Sequence, residues 1–90
     1  MSDLYQLKQQ CRKFYHERCI VCGRHSLIVH EIIPRSHGKI AINIDNMVVL
    51  CYLCHDYAHS MGSNVAQETL KLYKKEAIKR YGYSSAGKED

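Results

Sequence analysis

Tryptophan is absent from this sequence, and phenylalanine and proline occur once each. No apolar run approaches the ~18–20 residues of a membrane-spanning helix. The opening residues, MSDLYQLKQQ, lack the basic stretch and apolar run of a secretion signal. A transmembrane protein, a secreted precursor, a coiled coil and a disordered chain are therefore not expected. The apolar fraction is 46%, but seven of those residues are Tyr and five are Cys. An ordinary core is thin in a chain of 90 residues, and a single core of that size is marginal. Some other staple is expected. The length allows one domain, here residues 1–82, followed by a polar tail at 83–90 expected to be disordered. Lys and Arg number 13 against nine Asp and Glu, a formal charge of +4. That excess permits a polyanionic partner without establishing one.

The cysteines give the first sharp signal. Four of them form two pairs, Cys19-Ile20-Val21-Cys22 and Cys51-Tyr52-Leu53-Cys54, about 30 residues apart. Without a secretion signal, a cytoplasmic setting with reduced thiols is expected. Two CxxC knuckles then read as one tetrahedral Zn²⁺ site of four thiolates. A redox centre would show one pair in a thioredoxin-like pattern, and two disulfides would need an oxidising compartment. Such a zinc contributes about 10–16 kcal/mol of binding free energy that is coupled to folding. Cys11 stands apart on a helical face and reads as a small buried hydrophobe.

Along the chain, Leu4, Leu7, Cys11, Phe14 and Tyr15 recur at helical spacing and predict a helix over 3–16. Leu27 to Ile33 is rich in β-branched residues and predicts a strand that Pro34 ends. Residues 35–45 read as a loop with a short turn. Met47 to Leu50 predicts a second short strand. A helix is expected from Cys54 to about Met61, stopped by Gly62. Asn64 with Gln67 resembles a capping box that opens a last helix over 64–82. Its apolar face would be Ala66, Leu70, Tyr73, Ala77 and Tyr81.

His55 and His59 are four apart on the helix that leaves the second knuckle, so both imidazoles lie on one face. Two surface histidines would show the same spacing. Here His30 closes the first strand before Glu31-Ile32-Ile33-Pro34, and Asn46 opens the second strand nine residues before His55. These segments, VHEIIPRSHG and DNMVVLCYLCHDYAH, resemble the HNH nuclease family and its ββα-metal fold. The flanking knuckles resemble the zinc-stabilised branch of that family, and the likeness covers residues 19–59. It implies an α+β fold: a small zinc-stapled ββα-metal domain flanked by N- and C-terminal helices. It also implies that His30, His55 and His59 hold a catalytic divalent ion. Asn46 would brace the metal loop and help to position the general base. The setting implied is a bacterial or phage-infected cell.

One position departs from the family pattern. Three residues before Pro34, where the family has a His base, stands Glu31. A His with a pKa of about 6.5 suits proton removal near neutral pH, whereas a Glu at about 4.3 is ionised but weaker. Three readings follow. Glu31 serves as a slower base or a second metal ligand; His37 supplies the imidazole instead; or the site is silent and the domain only binds DNA or a protein partner. The chemistry implied by the resemblance is hydrolysis of DNA phosphodiester bonds with one metal. An all-histidine set suits Mn²⁺, Ni²⁺, Co²⁺ or Zn²⁺, while Mg²⁺ prefers carboxylates and water. Arg35 and Lys39 in the loop, with Lys71 and Lys75 on the last helix, are candidates to grip the DNA backbone. That helix also carries Lys74, Lys79 and Arg80, and its charges read equally as a solvated face.

Overall fold

The computed structural model describes residues 4–34 and 42–81. Its elements run in the order α1 (Leu4–Phe14), β1 (Val29–Glu31), a 3₁₀ turn (Ile44–Asn46), β2 (Met47–Val49), α2 (Tyr52–Ser60) and α3 (Ser63–Tyr81). The fold is α+β, as the sequence suggests. No helix among the described residues is long and apolar enough to cross a membrane.

Strands β1 and β2 pair antiparallel, with Val29 opposite Val49, His30 opposite Val48 and Glu31 opposite Met47. All three residues of β2 are buried, so the strand runs through the centre of the core. Helix α1 packs on it through Cys11, with Leu4, Leu7 and Phe14 at the margin of the core and Tyr15 buried just beyond the helix. The helix ends where His16 and Glu17 take φ of 58° and 57°. The Glu17 N–H then donates to the Arg12 carbonyl at 2.8 Å, closing the last turn. Two consecutive left-handed residues without a glycine cost about 1–2 kcal/mol each. They turn the chain into the first knuckle.

Several expected boundaries move, each for a local reason. The first strand has only three residues, although the β-branched run continues through Ile32 and Ile33. The Ile32 N–H donates to the Asn46 carbonyl at 2.8 Å, and the Asn46 side chain takes both backbone groups of Ile33. Those residues pair with the 3₁₀ turn rather than with β2. Asn46 itself closes that turn instead of opening the strand. Helix α2 starts at Tyr52 rather than Cys54, because Cys51 serves as its N-cap. Helix α3 starts at Ser63 rather than Asn64; the Gln67 amide donates to the Ser63 hydroxyl at 3.1 Å in place of the expected box. Gly62 separates the two helices with φ of 87°. On α3, Ala66, Leu70 and Ala77 are buried, but Tyr73 is 41% exposed. Lys74 and Ile78 flank the buried stripe on its other side, half-buried against the 3₁₀ turn. The Tyr81 side chain and the tail at 83–90 lie outside the described residues.

Candidate metal centres

Helix α2 contributes two residues to each of two clusters, with Cys51 and Cys54 at its start and His55 and His59 along it. The four sulfurs of Cys19, Cys22, Cys51 and Cys54 all lie within 4.8 Å of one another. In the first knuckle, the Val21 N–H points at the Cys19 sulfur at 3.4 Å. The Gly23 N–H donates to the Cys19 carbonyl at 2.9 Å, and Gly23 takes φ of 79° to make that turn. In the second, the Cys54 N–H donates to the Cys51 sulfur at 3.5 Å. The knuckles meet because the Ile20 N–H donates to the Val49 carbonyl at 3.0 Å. The Cys22 and Cys51 sulfurs are 3.6 Å apart. Tetrahedral bonds of about 2.3 Å place sulfurs about 3.8 Å apart, so this donor set is compatible with a structural zinc. Burial pushes the Cys51 thiol up, but hydrogen bonds from the Cys54 N–H and from the Cys54, Cys22 and Cys19 thiols outweigh it and bring the pKa down to about 7. Cys51 is the N-cap of α2, where the helix dipole favours a thiolate. Burial pushes Cys54 up, and its contact with Cys51 adds to the effect. Cys11 is fully buried, belongs to neither cluster, and is pushed up to about 12 by that burial.

The second cluster joins β1 to α2. His30, His55 and His59 offer ring nitrogens that all lie within 4.8 Å of one another. The His55 and His59 Nε2 atoms are 3.2 Å apart. The three rings stand nearly perpendicular in pairs, with centroids 4.5 to 5.4 Å apart. Metal–nitrogen bonds of about 2.0–2.1 Å put adjacent ligand nitrogens about 2.9–3.4 Å apart, depending on geometry. The His55–His59 spacing fits ligands of a single ion. Burial, together with the neighbouring His55 and His59, lowers the His30 pKa to about 4. Burial also lowers His55. Both effects favour neutral imidazole, the form that ligates metal.

These histidines line an open groove of ≈ 410 Å³, together with Lys8, Glu31, Pro34, Ala58 and Ser63. Glu31 borders the same groove but is not a member of the three-histidine cluster. Successive residues of a strand project to opposite sides, so His30 and Glu31 cannot present equivalent atoms to α2. Asn46 is 8% exposed and clamps the segment that follows Glu31. Its Oδ1 accepts from the Ile33 N–H at 2.8 Å, and its Nδ2 donates to the Ile33 carbonyl at 3.0 Å.

The basic residues divide. Arg35, Lys39 and His37 lie outside the described residues. Lys71 and Lys75 do not line the histidine groove. They border a second groove of ≈ 330 Å³ with Lys74, Ile32, Asn46 and Ile78. Lys74 donates to the Asp45 carbonyl and ties α3 to the 3₁₀ turn. Ile32 is the wall between the two grooves. Sequence reasoning missed Lys8 as a groove residue. Nothing in its spacing relates it to His30, and only the packing of α1 against the sheet brings the two together.

Residues 19–61, a little under half of the chain, match the family model described as HNH endonuclease. No curated protein and no solved structure matches the chain.

Proposed function

With residues 19–61 an HNH segment, we propose that this protein is a metal-dependent endonuclease that hydrolyses DNA phosphodiester bonds. The observation that carries this reading is the convergence of His30, His55 and His59 on one point of an open groove that Glu31 also borders. A divalent ion held by those three residues would act as a Lewis acid toward a phosphate oxygen and the leaving oxygen. Imidazole donors favour Mn²⁺, Ni²⁺, Co²⁺ or Zn²⁺ over Mg²⁺. The four cysteines would hold a structural zinc and take no part in the reaction.

Glu31 is the general base. It takes a proton from water as the water oxygen bonds to phosphorus. The bond between phosphorus and the 3′ oxygen breaks, its electron pair leaves on that oxygen, and solvent protonates it. Asn46 is a positioning residue: by holding both backbone groups of Ile33, it fixes the strand end that carries Glu31. Arg35, Lys39, Lys71 and Lys75 contact the DNA backbone, and sequence preference is weak because phosphates carry no base identity. The cell compartment proposed is the cytoplasm of a bacterium or a phage-infected cell.

A second reading, a catalytically silent zinc module that binds DNA or a protein, is favoured by one feature, the Glu at the base position. Nicking of supercoiled plasmid with added Mn²⁺, Ni²⁺ or Mg²⁺ separates the two. General bases typically contribute about 10²–10⁴-fold, so Glu31→Gln should slow nicking by that order with metal still bound. Glu31→His should preserve or raise the rate near pH 7. A natural protein that nicks with no divalent ion, or under no condition, contradicts the proposal. If Glu31→Gln is mild and His37→Ala severe, His37 is the base.

A further inference from the structure

Two helices outside the HNH segment also wall the histidine groove: α3 through Ser63 and Ala66, and α1 through Lys8. Lys8 belongs to α1, eleven residues before the segment begins at Cys19. It nevertheless lines the groove with His30, Glu31, His55 and His59. Helix α1 is fixed against the sheet: Cys11 is fully buried, and the Arg12 Nε donates to the Leu27 carbonyl at 2.8 Å, just ahead of β1. Arg12, one turn beyond Lys8, also donates to the Gln9 side chain and so has a structural task. Lys8 has none. Its ammonium makes no hydrogen bond or ion pair with any described residue, although the side chain is half-buried. Lys8 sits at the edge of the apolar stripe formed by Leu4, Leu7 and Cys11, so its stem runs along the protein and its charge reaches the groove.

A half-buried cation without a partner among the described residues, beside three imidazoles and a carboxylate, suits an anion that arrives with the substrate. We propose that Lys8 binds a DNA phosphate in the histidine groove, so that the N-terminal helix completes a substrate site the HNH segment lacks. This rests on the nuclease reading for the nature of the substrate. It differs in its claim, because it assigns a specific contact to a residue outside the motif. Lys8 acts here on substrate binding; the proton transfer belongs to Glu31.

The test compares Lys8→Ala with Lys13→Ala. Both remove one positive charge from α1, but Lys13 is exposed and lines neither groove. Binding of a fluorescent duplex is measured against salt by anisotropy, with zinc content checked in each variant. One lost phosphate contact lowers the slope of log affinity against log salt by about 0.9. Lys8→Ala should show that drop and bind about tenfold more weakly at low salt, Lys13→Ala should match the natural protein, and Lys8→Arg should restore most of the loss. Equal slopes in the natural protein and Lys8→Ala, or equal losses in both alanine variants, would overturn the proposal. The binding readout does not depend on cleavage. If the natural protein fails to nick DNA, the nuclease reading falls while the Lys8 contact is still decided by the slopes.

Discussion

Removing the Asn46 side chain isolates the clamp between the 3₁₀ turn and the segment that follows Glu31. The carboxamide makes two hydrogen bonds to Ile33, at 2.8 and 3.0 Å, from a position only 8% exposed. In Asn46→Ala both are lost, and the Ile33 N–H and carbonyl are left without their partner. A net hydrogen bond is worth about 0.5–1.5 kcal/mol, and a stranded buried group costs about 1–3 kcal/mol. Ile33 is half-buried, so water recovers part of that loss. The expected destabilisation is about 2 kcal/mol, which in a domain of this size lowers Tm by about 8–16 °C. Asn46→Asp should do no better. Its carboxylate keeps one acceptor for the Ile33 N–H but sets a second oxygen against the Ile33 carbonyl. Thermal unfolding with zinc in slight excess gives the stability, and plasmid nicking gives the effect on function. Nicking should fall in both variants while one zinc per chain is retained, because the cysteines are untouched. A Tm loss under ~3 °C in Asn46→Ala, or undiminished nicking, would refute the clamp.

Serine at Cys19 or Cys54 should cripple folding and release zinc, read by circular dichroism and metal analysis, whereas Cys11→Ser should cost about 1–3 kcal/mol and keep the zinc. The pH dependence follows from His30, whose pKa falls from 6.5 to about 4 on folding. Between those values the unfolded chain binds a proton that the folded chain refuses, so the contribution is complete above pH 6.5 and is lost as pH falls toward 4. Without added divalent ion, the stability of the natural protein relative to His30→Gln should decline through that window in denaturant titrations; a flat difference would count against the burial of His30. Lys71→Ala combined with Lys75→Ala should lower the salt slope of DNA binding by about 1.8. Lys74→Met should leave that slope alone and shift stability instead, since Lys74 is engaged with the 3₁₀ turn.

The grouping of the candidate metal ligands was the most legible part of the sequence. Two CxxC pairs and a His pair at helical spacing bring their own geometry, because four-residue knuckles and i, i+4 faces are local. The individual helices and short strands followed from equally local patterns, and the family resemblance implied their α+β arrangement. Boundaries were less legible where side chains cap backbone. Cys51 begins α2 two residues early because its thiol and carbonyl serve the helix as well as the cluster. Ile32 and Ile33 look like strand residues but are drawn off by Asn46, thirteen residues from Ile33 in sequence. The groove walls were hardest to read. Lys8 and Lys75 look alike as helix-surface lysines, and only tertiary packing assigns them to different grooves.

Binding of a second divalent ion, measured alongside DNA cleavage, tests the central claim most directly. Zinc-loaded protein is titrated with Mn²⁺ or Ni²⁺ while bound ion and plasmid nicking are followed in parallel. The account predicts one further ion per chain, a nicking rate that saturates with the same midpoint, and loss of both in His59→Ala with the structural zinc retained. A nicking rate that does not follow the second ion, or one that survives in His59→Ala, would contradict it.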